Sequence, residues 1–158
     1  FAQVDDHEYI IGDTTVNLYP QIWGLIADIF SKETKDKLIE YLWSELSSPV
    51  GMRNISLSKI PNTVENKLQS LSWSVIRNMF VIACFKNNRK DLAWKELYRN
   101  SWVHRTKFFN QQNGMSVGTL SDTDAFHTDT GFSWTASVID ANKFPFANSN
   151  ENAMWCLA

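Results

Sequence analysis

The feature that most constrains the fold is a recurring pair of segments, of which the first is apolar on nearly every side and the second is amphipathic. One pair is Tyr19–Phe30 followed by Ser31–Leu46, and the next is Ser70–Phe85 followed by Lys90–Phe109. Apolarity all round predicts a buried helix, whereas an apolar stripe at helical spacing predicts a helix at the surface. The chain is therefore predicted to be all-α, with inner and outer helices stacked as antiparallel hairpins.

A third pair is less regular: Phe132–Ala141 is apolar, and Ser149–Ala158 starts with a serine suited to cap a helix. The connections are unequal, because short turns join the helices of a pair, whereas the long segments 47–69 and 110–131 join one pair to the next. Hairpins stacked side by side place their long connections at one end. We expect a site at that end.

Composition limits the class of protein and its partners. The 158 residues are 44% hydrophobic, which suffices for the core of one domain, and 15 basic against 17 acidic residues give a net charge of −2. No basic stripe indicates nucleic acid, and no uncharged apolar window is long enough for a membrane span. No spacing of histidine, cysteine and carboxylate residues matches a metal site, so neither a metal nor a cofactor is predicted.

The cysteines bear on the cellular compartment of the chain, and its first residues bear on whether it is part of a longer chain. Cys84 and Cys156 lie far apart and form no C-x-x-C pair. Both are predicted to be reduced core thiols, which favours a cytoplasmic location without deciding the compartment. The start, "FAQVDDHEYI", has neither an initiator methionine nor a signal sequence and is interpreted as the beginning of a piece of a longer chain.

The most polar stretch is the loop at residues 113–131, which contains Asp122, Asp124, His127 and Asp129 among small residues. A loop of this length in a compact domain is typical of a binding site. Ionised carboxylates accept hydrogen bonds from sugar hydroxyls and act as general bases. Aspartates beside serine and threonine also form turns and cap helices, so both interpretations remain open.

Several stretches resemble the six-hairpin, (α/α)6-barrel glycosidases, specifically the group of trehalase, the processing α-glucosidases and the mannosylglycerate hydrolases. "GFSWTASVID" at 131–140 resembles the last inner helix of that group. The stretch 19–42, and the stretch 48–58 followed by 71–85, are similar to it in order and spacing. The resemblance covers about residues 19–140. It implies that residues 1–158 are one helical domain, about half of a barrel whose remaining half is a partner.

The resemblance implies a glycoside hydrolase that acts on an oligosaccharide or small glycoside with two carboxylates, about 6.5–9.5 Å apart in an inverting enzyme. The group's general acid comes from an earlier hairpin, so the 158-residue piece alone is expected to be inactive. The group's base is a glutamate, but the matching "KFFNQQNG" at 107–114 contains none. Asp124, Asp122 and Glu65 are the catalytic candidates, with Asp129 as a further acceptor, unless this member has lost hydrolysis.

The candidates for substrate binding lie in the long connections or at the starts of inner helices. Trp73 and Trp134 begin such helices, where an aromatic ring can stack on a sugar. His127 and Arg53 can bond hydroxyls, as can Arg77 one helical turn after Trp73; a solvated histidine and ordinary paired arginines are the alternatives. The other tryptophans are predicted to pack between helices: Trp23, Trp43, Trp94, Trp102 and Trp155.

Two other function classes remain. A non-catalytic helical scaffold would keep the hairpin packing and bind a protein or glycan without chemistry. A sugar phosphorylase on a related barrel would need phosphate-binding groups beside the sugar site. The stretch "TDTG" at 128–131 has no arginine or lysine nearby, which favours hydrolysis over phosphorolysis.

Overall fold

The structure, a computed structural model, describes residues 3–4, 10–11, 15–56, 71–113 and 125–128. Its helices are α1 (Leu18–Ile26), α2 (Lys32–Leu46), α3 (Ser74–Lys86), α4 (Lys90–Asn100) and α5 (Trp102–Asn113). Its strands are β1 (Gln3–Val4), β2 (Ile10–Ile11), β3 (Ser47–Ser48), β4 (Gly51–Met52), β5 (Leu71–Trp73) and β6 (Ala125–His127). The described residues are mostly helical, as predicted, but they also form the antiparallel ribbons β1–β2, β3–β4 and β5–β6. The all-α prediction is corrected to that extent.

Helix α1 is shorter than the predicted inner helix at its C-terminal end. Asn17 caps its start, since the side-chain Oδ1 accepts a hydrogen bond from the backbone N of Tyr19 at 3.2 Å. It ends at Ile26 because Asp28 adopts a left-handed conformation with φ 59°. The predicted extension to Phe30 is therefore wrong.

The prediction that α1 is buried on every side is also wrong. Leu18, Ile22 and Leu25 form its buried face, whereas Tyr19 and Trp23 are 46% and 48% exposed. The buried residues recur at i, i+4 and i+7, which is one side of a helix. The two exposed rings contact each other edge-on at 6.2 Å between centroids.

Helix α2 is the amphipathic outer helix that was predicted. Ser31 caps it by accepting a hydrogen bond from the backbone N of Thr34 at 3.2 Å. Ile39, Leu42 and Leu46 are fully buried. Most charged side chains of α2 are exposed, so the helix lies with one face on the core.

Helix α3 is buried on most sides, as predicted for an inner helix, but it begins four residues after Ser70. Residues 71–73 are extended instead, because they pair with β6. Phe80 and Cys84 are fully buried in this helix. Burial raises the pKa of the Cys84 thiol to about 12, so this thiol is protonated at neutral pH.

The predicted single outer helix at 90–109 is interrupted at Ser101, so α4 and α5 are separate helices. Ser101 has an extended backbone, with φ −70° and ψ 146°. Its side-chain oxygen accepts a hydrogen bond from the backbone N of His104 at 3.2 Å, which begins α5. The helical periodicity of the sequence continues across this cap, which is why the break was missed.

The tryptophans predicted to pack between helices divide into two groups. Trp43 of α2 stacks on Phe80 of α3, with 6.3 Å between ring centroids. Trp94 is 64% exposed and touches Phe85 edge-on, and Trp23 is half exposed, so the packing prediction is wrong for both. The side chain of Trp102, and Trp155 altogether, lie outside the described residues.

The helices pack as two neighbouring hairpins. α3 packs against both α1 and α4, with the apolar core between them. α2 reaches α4 through Arg99, whose guanidinium lies 4.7 Å from the Trp43 ring, and through an ion pair of Glu40 with Arg89 at 2.5 Å. Two inner helices therefore lie side by side with outer helices against them. In the described part of the chain, every helix is too short or too polar to cross a bilayer.

Candidate functional site

The N-terminal ends of α1 and α3 are joined by one residue of the first long connection. The backbone O of Asn54 accepts a hydrogen bond from the N of Leu18 at 2.8 Å, and its backbone N donates to the O of Leu71 at 3.0 Å. The side-chain Oδ1 of Asn54 accepts from the N of Trp73 at 3.2 Å. The starts of two inner helices therefore meet at the end where the sequence predicts a site.

The segment around Asn54 is held on both sides. Ser56 donates its backbone N to the O of Val16 and accepts the N of Val16 on its hydroxyl, both at 2.8 Å. The hydroxyl of Ser72 donates to the O of Met52 at 2.7 Å. Because each of these backbone groups is satisfied, the segment is a fixed part of the fold.

The ribbon β5–β6 carries two of the predicted substrate-binding residues. Its register pairs Leu71 with His127 and Trp73 with Ala125. Residues two apart on a strand, and residues directly opposite, point to the same face, so Trp73 and His127 share one face as diagonal neighbours about 7–8 Å apart. Both are partly exposed. The ribbon thus places two of the predicted site residues on one face.

The indole of Trp73 retains a hydrogen-bond donor. Its ring is partly exposed, and its Nε1 is shielded from solvent with no hydrogen-bond partner in the described structure. A buried donor without an acceptor is costly to the fold. What Trp73 offers a ligand is therefore the exposed part of its aromatic ring, and not its N–H group.

The opposite face of the ribbon is fully buried. Ser72 and Phe126 point there, with 0% and 1% exposure. The guanidinium of Arg77 lies over the Phe126 ring, 4.8 Å from its centroid. The ribbon is thus anchored to α3 on this side. On the other face, Leu71 and Ala125 are also fully buried, whereas Trp73 and His127 are partly exposed.

Beneath the ribbon is a buried junction, which consists of Gly51, Met52, Arg77, Glu96 and Phe126. The Nε of Arg77 donates to Oε1 of Glu96 at 2.6 Å, and the same oxygen accepts from the backbone N of Met52 at 3.0 Å. Both charged side chains are 0% exposed. Arg77 is therefore a paired arginine of the core. Glu96 is a charged residue of an amphipathic helix, and its burial contradicts the expectation of a surface position.

Arg53 is directed towards the end of α2. Its Nη1 donates to the backbone O of Ser47 at 3.0 Å, and its backbone N donates to the O of Leu46 at 2.8 Å. These bonds satisfy carbonyls at a helix C-terminus. The described contacts of Arg53 thus belong to the structure of the connection.

The remaining predicted site residues lie outside the described residues: Asp122, Asp124, Asp129, Glu65 and Trp134. Asp124 directly precedes Ala125, the residue of β6 that pairs with Trp73. Among the described residues, no three histidine, cysteine, aspartate or glutamate side chains form a group that could hold a metal ion. The candidate site is therefore formed by the partly exposed side chains of Trp73 and His127, together with Asn54 behind them.

Sequence reasoning missed Asn54 and Glu96. The partners of Asn54 belong to α1 and β5, and Glu96 bonds residues of β4 and α3. No local pattern signals the long-range contacts of Asn54. For Glu96 one signal was available, since it is a charged residue at a helix position that faces the core.

Comparison with known proteins finds no match: no family model fits the sequence, and no curated protein or solved structure is significantly similar to it.

Proposed function

We propose that the chain is part of a glycoside hydrolase with an (α/α)6 barrel, and that the β5–β6 ribbon is one wall of its sugar site. The observation that carries the proposal is that Trp73 and His127, both partly exposed, share one face at the end where two inner helices begin. Adjacent inner helices α1 and α3, with α2 and α4 against them, support a ring built from such hairpins.

The chemistry of this face suits a sugar. The C–H face of a pyranose stacks on an aromatic ring, while an imidazole nitrogen bonds a hydroxyl group. The exposed part of the Trp73 ring, with the partly exposed His127 on the same face, offers this combination. Because an apolar ring and polar groups lie together, the face favours a ligand with the same mixture.

The proposed reaction is glycoside hydrolysis by two carboxylates. Asp124 is the proposed base, since it is the carboxylate nearest to the ribbon in sequence, and Asp122 and Glu65 are the alternatives. A base in this position would activate a water against the anomeric carbon. The general acid that protonates the leaving oxygen is proposed to belong to the other half of the ring.

The test is calorimetric titration of the chain with trehalose, maltotriose and a mannose disaccharide. We expect weak binding of at least one of them, with a loss of about tenfold in affinity for Trp73→Ala because stacking is removed. Trp94→Ala is the matched control, since Trp94 is an exposed tryptophan on an outer helix. Equal effects of both substitutions, or no binding of any of these sugars, would contradict the proposal.

A second candidate function is a non-catalytic binding module. Exposed aromatic side chains on two helices favour it, namely Tyr19 and Trp23 of α1 and Trp94 and Tyr98 of α4, because such residues are common at contact surfaces. Asp124→Asn, made in the full-length protein that contains both halves of the ring, separates the two functions. In a hydrolase it lowers turnover and leaves sugar binding nearly unchanged, whereas a binding module shows no turnover to lose.

A further inference from the structure

We propose that Asn54 is a positioning residue that sets the place of the Trp73 ring and couples it to the start of α1. Its three hydrogen bonds reach Leu18, Leu71 and Trp73, so one residue connects two helix starts and the ribbon. The proposal deepens the proposed function and rests on it only for what the Trp73 ring binds.

Asn54 extends the edge of β5 that does not pair with β6. Its backbone N donates to the O of Leu71, and its Oδ1 accepts from the N of Trp73. These are the two bonds that a strand residue would make across a ladder with its own N–H and C=O. Here the side-chain oxygen takes the place of the backbone carbonyl.

This replacement leaves the backbone carbonyl of Asn54 available for another partner. That carbonyl accepts a hydrogen bond from the N of Leu18, the first residue of α1, at 2.8 Å. The first N–H groups of a helix have no partner within the helix, so an outside acceptor is needed. Asn54 thus serves α1 with its backbone and β5 with its side chain.

Trp73 is the residue before the first turn of α3, with an extended backbone at φ −96° and ψ 125°. Its side chain makes no capping hydrogen bond, so the position of Trp73 depends on its backbone partners, of which Asn54 is one. The backbone N of Trp73 is held by Asn54, and the strand pairs with β6 along its other edge. Loss of the side-chain amide of Asn54 would free the backbone N of Trp73 on this edge of β5, and the indole could then move.

Asn87 offers a matched control on the same helix. Its side-chain Nδ2 donates to the backbone O of Ala83 at 2.8 Å, at the opposite end of α3 from Trp73. Asn87→Ala removes one hydrogen bond between an asparagine side chain and the backbone without touching the ribbon, although here the side chain is the donor. Asn54→Asp is the conservative variant, since it keeps an acceptor oxygen in place.

The experiment is fluorine NMR of the full chain labelled with fluorotryptophan, with the Trp73 resonance assigned from Trp73→Phe. Asn54→Ala is expected to shift or broaden the Trp73 resonance and to speed hydrogen exchange at the Trp73 amide about tenfold or more. Asn87→Ala is expected to leave the Trp73 resonance in place. Asn54→Asp is expected to restore it.

Three outcomes would overturn the inference: an unchanged Trp73 resonance in Asn54→Ala, equal shifts in Asn54→Ala and Asn87→Ala, or a freely exchanging Trp73 amide in the wild type. Hydrogen exchange at the Trp73 amide of the wild type needs no variant, so it tests the inference even if Asn54→Ala does not fold.

Titration with trehalose and maltotriose separates this inference from the proposed function. If the wild type binds neither sugar while the Trp73 resonance responds to Asn54→Ala, the positioning role stands and the sugar site does not. If a sugar binds, Asn54→Ala is expected to weaken its binding about as much as Trp73→Ala does.

Discussion

The two faces of the β5–β6 ribbon differ in what surrounds them. On one face, the buried junction encloses the charged side chains of Arg77 and Glu96 at 0% exposure. On the other, Trp73 and His127 are partly exposed, and the Nε1 of Trp73 has no partner in the described structure. Of the ribbon residues that the structure describes, Trp73 and His127 alone keep side-chain surface that a ligand can cover, whereas the junction is enclosed by the protein.

The comparison predicts that substitutions in the junction change stability and that substitutions on the exposed face change binding. The largest effect is expected for Glu96→Ala, which removes the carboxylate that bonds Arg77 and Met52. Removing one partner of a buried ion pair costs about 3–5 kcal/mol of unfolding free energy, because a desolvated charge remains. Urea denaturation measures this cost.

Glu45→Ala on the exposed side of α2 is the control for that substitution, with an expected change below about 0.5 kcal/mol. If Glu96→Ala destabilised the chain no more than Glu45→Ala, water would have to reach the junction, and the contrast between the two faces would disappear.

Gly51→Ala is expected to cost somewhat less, about 2–4 kcal/mol, through backbone strain and overpacking. Gly51 has φ 137°, and a Cβ there would lie within 2.4 Å of three guanidinium atoms of Arg77. Gly24→Ala is the matched glycine, since its Cβ would meet only the half-buried ring of Phe30, which lies beyond the end of α1.

In Gly24→Ala, better helix propensity offsets part of the clash, so its thermal midpoint is expected to fall less than that of Gly51→Ala. A reversed order in thermal denaturation would show that the junction adapts more easily than the core beside α1.

Trp73→Ala is expected to change unfolding free energy by less than Glu96→Ala, about 1–2 kcal/mol, because the ring packs against the core but remains partly exposed. Its larger consequence is expected in sugar affinity, as proposed above. Measuring stability and affinity on the same samples tests the contrast directly. A stability loss equal to that of Glu96→Ala would mean that Trp73 belongs to the core.

The parts of the fold that were predictable are those with local signals. The Ser31 cap and the apolar spacing of α2 lie within one stretch, so its bounds were predicted almost to the residue. The burial of α3 followed from its all-round apolarity. The break at Ser101 was local too, but a serine followed three residues later by histidine is a weak cap signal against strong periodicity.

The parts that were not predictable depend on contacts between distant residues. Residues 71–73 are apolar enough for an inner helix, and only pairing with β6 makes them a strand. Glu96 is buried because Arg77 and Met52 meet it. For the site, the sequence predicted the position of Trp73 at the start of an inner helix. The role of Asn54 could not be predicted, because its hydrogen-bond partners are known only from the three-dimensional structure. The carboxylate candidates remain predictions.

The smallest effect is expected for an ion pair that lies in solvent. Lys37 and Glu33 on α2 are 2.6 Å apart, and their side chains are 76% and 78% exposed. Water and salt screen such a pair, and holding two long side chains together costs entropy, so Lys37→Ala is expected to lower the unfolding free energy by less than about 0.5 kcal/mol. The residual effect should vanish in 1 M salt, where the screening length falls to about 3 Å.

The Arg77–Glu96 pair has the same 2.6 Å separation, and Glu96→Ala should remain costly in that salt. A similar salt response in both variants would show that distance, and not burial, determines the strength of these pairs.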